Sequence, residues 1–557
     1  MSQKNKDLEQ LQITAAEHPK FYEPATLILS IILCVLGAII GMELIINTGV
    51  TANTSLVGAI IAIIFSRIPI TMFMKFRSVH RQNLIQTSIS ATTFSVANCM
   101  LLTCGIPIIL GRPELMIPML IGATIATCID ATILYRCYDT PMFPATGAWP
   151  PGVASAETIL AVINKGKRAM LLLVGMGMGA VGRAMGIPMD LLGVSWFGNF
   201  AAMLGLGVGS LIIGVLKTNA FSFTLLGHPF TLASNVLGSG WDPAITPVTY
   251  LGHGLMIGAG IVSLIQAGRM LMRKDDGEDS AMSRFTSSMK NMRSALGIGY
   301  IAYAAVAMIL ALVCGFFSEM SPGMFIAWIL YAALAAIVSE LMVGIAAMHS
   351  GWFPGFATAF VFLIIGMLIG FPPVPLGILA AYTAATGPCF SDMGYDLKCG
   401  YILRGNGKDP DLERVGRKQQ WYCELMGFGI AFVMCLLFAH RYFDQGLFVA
   451  VSNTYVKTIE AGTTPEIAKW LMIWAIPGAI IQLLGGHRQV GILFATGILV
   501  GSTINGLTVL IALLIRLIAE RRNEENKQIL TILGAGSLAG AALYSFFTAT
   551  LGLFRKK

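Results

Sequence analysis

Charge is scarce in this chain. Only 12% of its 557 residues are Asp, Glu, Lys or Arg, about half the share in an ordinary soluble domain. With 55% hydrophobic residues and a mean hydropathy of +0.74, too little polar surface is left to cover a globule in water. The solvent has to be lipid. Other absences narrow the reading. The ten cysteines form no C-x-x-C pair and lie mostly in apolar segments, which argues against a disulfide frame or a zinc site. No H-x-x-x-H or carboxylate–histidine cluster points to a metal, so no metal or cofactor is expected. There is no G-x-x-x-x-G-K-[ST] and hence no built-in P-loop ATPase. H-E-x-x-H is missing too, and no G-x-S-x-G sits beside a paired histidine and acid, which argues against an enzyme. The start, "MSQKNKDLEQLQITAAEHPKFYEP", is polar for more than twenty residues, so no secretory leader is expected there.

What is present is long apolar runs. Segments of roughly 20 residues, enough to cross a bilayer as helix, begin near 25–46, 52–73, 83–110, 115–134, 169–185, 194–216, 219–238 and 246–268. After a charged stretch they resume at 295–317, 324–347, 356–371, 374–391, 420–439, 467–485, 489–515 and 528–552. The fold class expected is all-α: a polytopic integral membrane protein with about sixteen transmembrane helices. Segments 219–238 and 489–515 are open to being re-entrant hairpins or broken helices, because His228-Pro229 interrupts one and glycine and asparagine the other. The division is a polar cytoplasmic N-terminus (1–24), a first half (25–268), a charged cytoplasmic loop (269–294) and a second half (295–557). Basic residues free of acids at 67–81 put that loop inside, and counting onward puts 392–419 inside as well. The net charge of +8 fits this positive-inside bias and gives no sign of nucleic-acid binding. Sixty-one glycines without a three-residue period suit close helix packing in lipid.

Two stretches look alike. "GMELIINTGVTANTSLVGAII" and "VSELMVGIAAMHSGWFPGFATAF" each place a glutamate late in a helix before a polar, glycine-bearing turn. By span counting they run in opposite directions, as inverted repeats of alternating-access carriers do. Glu43 and Glu340, the paired acids, are proton-coupling candidates, because an ionisable group within a span faces protein or water. Either could instead sit at a helix end among headgroups. Asp130, close to Arg136, reads as a third such candidate or as an interfacial acid. Asn83, Gln86, Thr87 and Ser90 share one helical face. They could line a substrate pathway or hydrogen-bond between helices. His253 joins the pathway candidates as a group that titrates near neutral pH. In "CFSDMGYDLKCGYILRG", Asp392 and Asp396 are four apart and share a face if helical, whereas Lys398 does not. These three are gate candidates.

Several of these motifs resemble the oligopeptide transporter superfamily, on its bacterial or yellow-stripe-like side. "RQNLIQTSIS" is similar to that family's E-N-N-x-x-Q-T-x-x-S at Asn83, Gln86, Thr87 and Ser90. "PMFPATGAWPPGVASAETI" resembles its L-P-F-P-x-G-x-A-x-A-E at Phe143, Pro144, Ala156 and Glu157. "SDMGYDLKCGYILRGNG…RKQQ" resembles Q-D-L-K-T-G-x-L-x-G-A-T-P-R-x-Q-Q at Asp396, Leu397, Lys398, Gly400, Gly405, Arg417, Gln419 and Gln420. "GSLAGAAL" resembles G-L-I-A-G-E-x-L, with Ala541 at the glutamate position, and Tyr395 stands where the family has glutamine. The resemblance implies secondary active uptake of short peptides or related amino-acid-derived compounds, or of metal chelates, driven by protons. It also implies a place in the plasma (bacterial inner) membrane and a homo-oligomeric assembly as an option. A channel is the rival reading, although a long pseudo-duplicated chain suits a carrier better.

Overall fold

A computed structural model describes residues 13–48, 55, 58–59, 62–63, 76–163, 167–217, 222–225, 228–231, 250–272, 286–351, 353–462, 465–485, 488, 490–500 and 502–555. In chain order the helices are α1 (Pro24–Thr48), α2 (Val79–Ile109), α3 (Met116–Cys137), α4 (Pro150–Ile163), α5 (Lys167–Ala184), α6 (Met189–Ser195), α7 (Phe200–Lys217), α8 (Leu251–Met272), α9 (Met289–Val313) and α10 (Pro322–Ser350). They continue with α11 (Gly355–Ile369), α12 (Pro373–Ala385), α13 (Pro388–Leu403), α14 (Pro410–Phe443), α15 (Ala450–Ala461), α16 (Pro465–Gly485), α17 (Val490–Val500), α18 (Thr503–Arg522) and α19 (Glu524–Arg555). Among the described residues, nine helices are long and apolar enough to span a membrane, and shorter apolar helices accompany them. The polytopic helical class expected from hydropathy is what the chain adopts.

The helices are sorted by lipid rather than by water. On α1 the exposed stripe is Ile28, Ile31, Ile32, Val35, Leu36 and Ile39, while Ala38 and Met42 face inward. Large aliphatic side chains meet hydrocarbon at no cost, so the inner face is left for small and polar groups. Three outer helix pairs close on glycines spaced by four. Gly175 and Gly179 of α5 pack on the backbone of α19 near Gly536 and Ser537, Gly254 and Gly258 of α8 pack on α16 at Leu471, Trp474 and Ala475, and Gly205 and Gly209 of α7 pack on α17 at Val490 and Phe494. A Cβ at Gly258 would overlap the Ala475 carbonyl, and one at Gly179 the Ser537 carbonyl. Backbone contact this close needs small residues.

Three expectations change, and for segment 489–515 one of its two open readings holds. Segment 374–391 is two helices, α12 and α13, broken at Thr386 and Gly387. Gly387 has a φ of +93°, which suits glycine, and Pro388 follows at the first helical position. The stretch 392–419 is not a surface loop throughout. Its first part is α13, all sixteen residues of which are buried. Counting charges misplaced it, because Asp392, Asp396, Lys398 and Arg404 are met inside the protein instead of by solvent. Segment 489–515 is the broken pair α17 and α18. Segment 219–238 lies mostly outside the described residues, and its described part is a two-stranded antiparallel hairpin, Ser222–Leu225 with His228–Thr231. Pro229 has no N–H for a helical bond, and the flanking Phe and Thr favour extended backbone. Segment 52–73 lies outside the described residues except for Ser55, Gly58, Ala59, Ala62 and Ile63.

α13 is the central helix. It packs against α2, α3, α4, α10 and α14. The irregular segment 138–149 also closes over it. Trp149 is fully buried there, stacked edge-on to Tyr395 at 6.2 Å, with its ring filling the space beside Gly394. At its far end α13 turns into α14 through an ion pair. Arg404 donates from Nε to Glu413 Oε2 at 2.7 Å and from Nη2 to Oε1 at 2.9 Å, and Nη1 reaches Gln420 Oε1 at 2.8 Å. Both charged side chains are 1% exposed. The segment before α1 docks nearby, where the rings of His18 and His80 lie 5.4 Å apart. Burial first, then the positive charges of Arg404 and His80, push the His18 imidazole down to about 3.

Two outcomes follow from this junction. Arg404→Met strands a buried carboxylate and should destabilise the protein by about 3–5 kcal/mol, whereas R404M/E413L should recover most of the loss. Melting curves of the purified protein in detergent read both; a single variant as stable as the parent would contradict the pairing. His18 binds its proton more weakly folded than unfolded. Its contribution is therefore complete above the ordinary histidine value of 6.5 and drains away as pH falls toward about 3. Over that window His18→Gln should lose less stability than the parent, read as the difference between their melting temperatures against pH.

Candidate functional site

Besides Glu157 and the ion-paired Glu413, five carboxylates at most 2% exposed lie in the interior around α13: Asp130, Glu340, Asp392, Asp396 and Glu424. Burying a carboxylate in an apolar medium is costly without partners, so what each one touches is the informative part. They fall into two groups at successive levels of α13.

The first group sits at the α12–α13 break. Asp130, on α3, caps the N-terminus of α13. The Gly387 N–H donates to both of its oxygens at 3.0 Å, and the Phe390 N–H donates to Oδ2 at 2.7 Å. A helix start offers unmatched N–H groups and a positive dipole end, so an anion is at home there. Glu340, on α10, lies with its carboxyl group against that of Asp130. Its Oε2 accepts from the Tyr303 hydroxyl of α9 at 2.7 Å, while Oε1 has no protein donor. Two carboxyl groups can share a hydrogen bond only if one of them carries a proton. The pair thus brings α3, α9, α10 and the start of α13 together. Asp130 is an interior acid and not the interfacial one that its closeness to Arg136 suggested. Gly387 makes the contact possible, because a Cβ there would crowd Val343 and the Glu340 backbone.

The second group lies one to two turns further along. Asp392 and Asp396 share one face of α13, toward α2 and α14. Ser90 of α2 donates to Asp392 at 2.9 and 3.0 Å. Ser55 donates to Asp396 Oδ1 at 2.7 Å, and the Gln86 amide donates to the same oxygen. Ser55 and Ser90 are themselves 3.1 Å apart. Glu424 of α14 completes the group. One carboxylate oxygen from each of Asp392, Asp396 and Glu424 lies within 4.8 Å of the others. Asp396 Oδ2 and both Glu424 oxygens lack a hydrogen-bond donor among the described residues.

The polar face of α2 therefore meets side chains, which is the interhelical reading of its four residues. Asn83 donates to Gln86 at 3.1 Å, Gln86 to Asp396, and Ser90 to Asp392. Thr87 accepts from Gln420 at 3.1 Å, and the same Gln420 amide reaches the Asp396 carbonyl at 2.6 Å. Just beyond, Val96–Leu101 winds as a π-turn, a feature frequent at functional positions. Lys398 points away from the aspartates, as its spacing required, and donates to the Ala145 carbonyl at 2.7 Å. That bond ties segment 138–149 to α13.

The other two sequence candidates lie elsewhere. Glu43, on α1, is half-buried against Tyr442 of α14. His253, on α8, lies with its ring 4.7 Å from that of Phe360 on α11, outside the hydrogen bonds that join the carboxylates. Sequence reasoning missed Glu424 and Tyr303. Glu424 carried a readable signal, an acid inside the apolar span 420–439. Tyr303 carried none, since a tyrosine within a span is common without a polar role.

Comparison with known proteins agrees with this architecture. The family model described as OPT oligopeptide transporter protein matches residues 24–551, nearly the whole chain. Among curated proteins, no sequence matches it. The chain belongs to the OPT oligopeptide transporter family, and it is an integral membrane transporter of oligopeptides or related substrates.

Proposed function

We propose that the protein is a secondary active transporter that takes up short peptides or related amino-acid-derived compounds with protons, by alternating access, in the plasma membrane of a bacterium. The carrying observation is the Asp130–Glu340 pair. Asp130 receives three contacts from backbone N–H groups and Glu340 one from a hydroxyl. Asp130 is thus the fixed anion, and Glu340 carries the exchangeable proton on Oε1, donating it to Asp130. When that proton leaves, two carboxylates face one another in a dry interior, and their repulsion is strong at low dielectric. Glu340 is the partner held less firmly. Its withdrawal moves α10 against the start of α13, the discontinuous helix of the kind that carriers place at their sites. The Asp392–Asp396 face and Lys398 lie along the same helix, so motion of α13 reaches the α2 and α14 contacts and segment 138–149 together. This is the sense in which they serve as a gate. The inverted halves 25–268 and 295–557 supply the two bodies that rock.

Uptake into proteoliposomes tests the reading, with a mixture of short peptides in one arm and iron or nickel chelates in another, with and without an inward proton gradient. The parent should accumulate one substrate class uphill only when the gradient is present. Glu340→Gln should lower gradient-driven accumulation by roughly tenfold or more, about 1.4 kcal/mol of coupling or greater, while substrate exchange at equal pH persists. Equal, non-saturating flux in all conditions would sink the carrier reading in favour of a channel.

A further inference from the structure

The two carboxylate groups are not satisfied alike. Asp130 and Glu340 are met by backbone N–H groups and a tyrosine hydroxyl, and Glu340 lies against Asp130 as Glu424 lies against Asp396. Glu413 is met by a buried arginine. Among the described residues, Asp396 Oδ2 and both oxygens of Glu424 are met by no donor, although both side chains are fully buried. No lysine or arginine pairs with either of them among the described residues. Unpartnered carboxylate oxygens are rare in protein interiors, because each forfeits its hydration with nothing in return. On two adjoining side chains, such oxygens leave a place for an electropositive partner that the described residues do not supply.

We infer that Asp392, Asp396 and Glu424, with the hydroxyls of Ser55 and Ser90, form a binding site for a divalent, oxygen-liganded cation of the magnesium, calcium or manganese class. Geometry is the first support. The three carboxylates offer oxygens within 4.8 Å of one another. A calcium-sized ion takes its oxygens at about 2.3–2.6 Å, so ligands facing each other across it stand about 5 Å apart. A common centre is therefore within reach without moving a helix. Glu424 is the second, separate support. It comes from α14, not α13, and although it lies against Asp396, neither of its oxygens accepts from a donor among the described residues. The donor set then selects the ion. Every available ligand is a hard oxygen, which suits magnesium, calcium or manganese over zinc or copper. The neighbouring thiols of Cys99 and Cys389 lie 3.4 Å from each other and are engaged together. Three carboxylates call for two positive charges more readily than one, with a single proton left to complete neutrality.

The site bridges α2, α13 and α14, so an ion there fixes the same face of α13 on which the proposed gate lies. The inference is nevertheless independent of the transport reading, because it concerns binding and would stand if uptake needed no proton.

The test uses the full-length protein in detergent, stripped with a chelator and dialysed. Calcium, magnesium and manganese chlorides are added separately at constant ionic strength, with sodium chloride as the monovalent arm. Melting temperature is followed, and free manganese is read by its electron paramagnetic resonance signal. The expected result is saturable stabilisation by at least one divalent ion, with one manganese taken up per chain. Glu424→Gln and Asp396→Asn should each weaken that binding by tenfold or more. In chelator, both variants should melt no lower than the parent, since each removes an unmet charge; this separates lost binding from failed folding. Glu520→Gln, an acid of the distant α18, should bind as the parent does. Absence of manganese uptake would overturn the site. So would stabilisation by sodium alone, uptake unchanged in both variants, or stabilisation that follows only acidification, which would mean that protons alone fill the gap between Asp396 and Glu424.

Discussion

The bond between the Asp130 carboxylate and the first N–H groups of α13 is the contact on which the rest of the interior depends. It allows a helix to begin in the middle of the protein. A helix end in an apolar interior leaves unmatched N–H groups, and lipid cannot supply acceptors. Asp130 supplies them from α3. Once α13 can start there, its sixteen buried residues can carry Asp392, Asp396 and Lys398 through the core. Each then needs a partner, and the partners define the neighbours. Ser90 and Gln86 bring α2, Glu424 brings α14, and Ala145 brings the irregular segment before α4.

Polar chemistry at the centre is possible because the periphery asks for none. The outer helices hold together through glycine faces that bring backbones into contact, and they show aliphatic side chains to lipid. The two regions have different mechanical character. Glycine-packed pairs such as α5 with α19 are close and uniform. The core is joined by hydrogen bonds between carboxylates, amides and hydroxyls. A carrier needs both, rigid bodies and a switchable seam between them.

Much of this was legible in the sequence, and unevenly so. The membrane class followed from charge scarcity and apolar runs. Glu340, Asp130, Asp392 and Asp396 were singled out because acids inside spans demand an explanation. Their grouping was not legible. Glu340 was matched with Glu43 by pattern, yet its contact is Asp130, more than two hundred residues earlier, because helix packing in three dimensions leaves no trace in local periodicity. The region after Asp392 was misread as a loop for a physical reason. Charge counting assumes that solvent meets each charge, whereas Arg404 meets Glu413 and Lys398 meets a carbonyl. Glu424 was passed over as one acid in a long, polar-ended helix, although its position four residues inside the apolar span was the available clue.

The claim at the centre is that a proton resides between Asp130 and Glu340 and leaves during the cycle. Infrared difference spectroscopy across a pH step, on the purified protein in lipid, observes this directly through the C=O stretch of a protonated carboxyl group. The account predicts a protonated-carboxyl band that disappears on raising pH, shifts in heavy water, and is missing from E340Q. A spectrum without that band, or one in which E340Q retains it unchanged, would contradict the account.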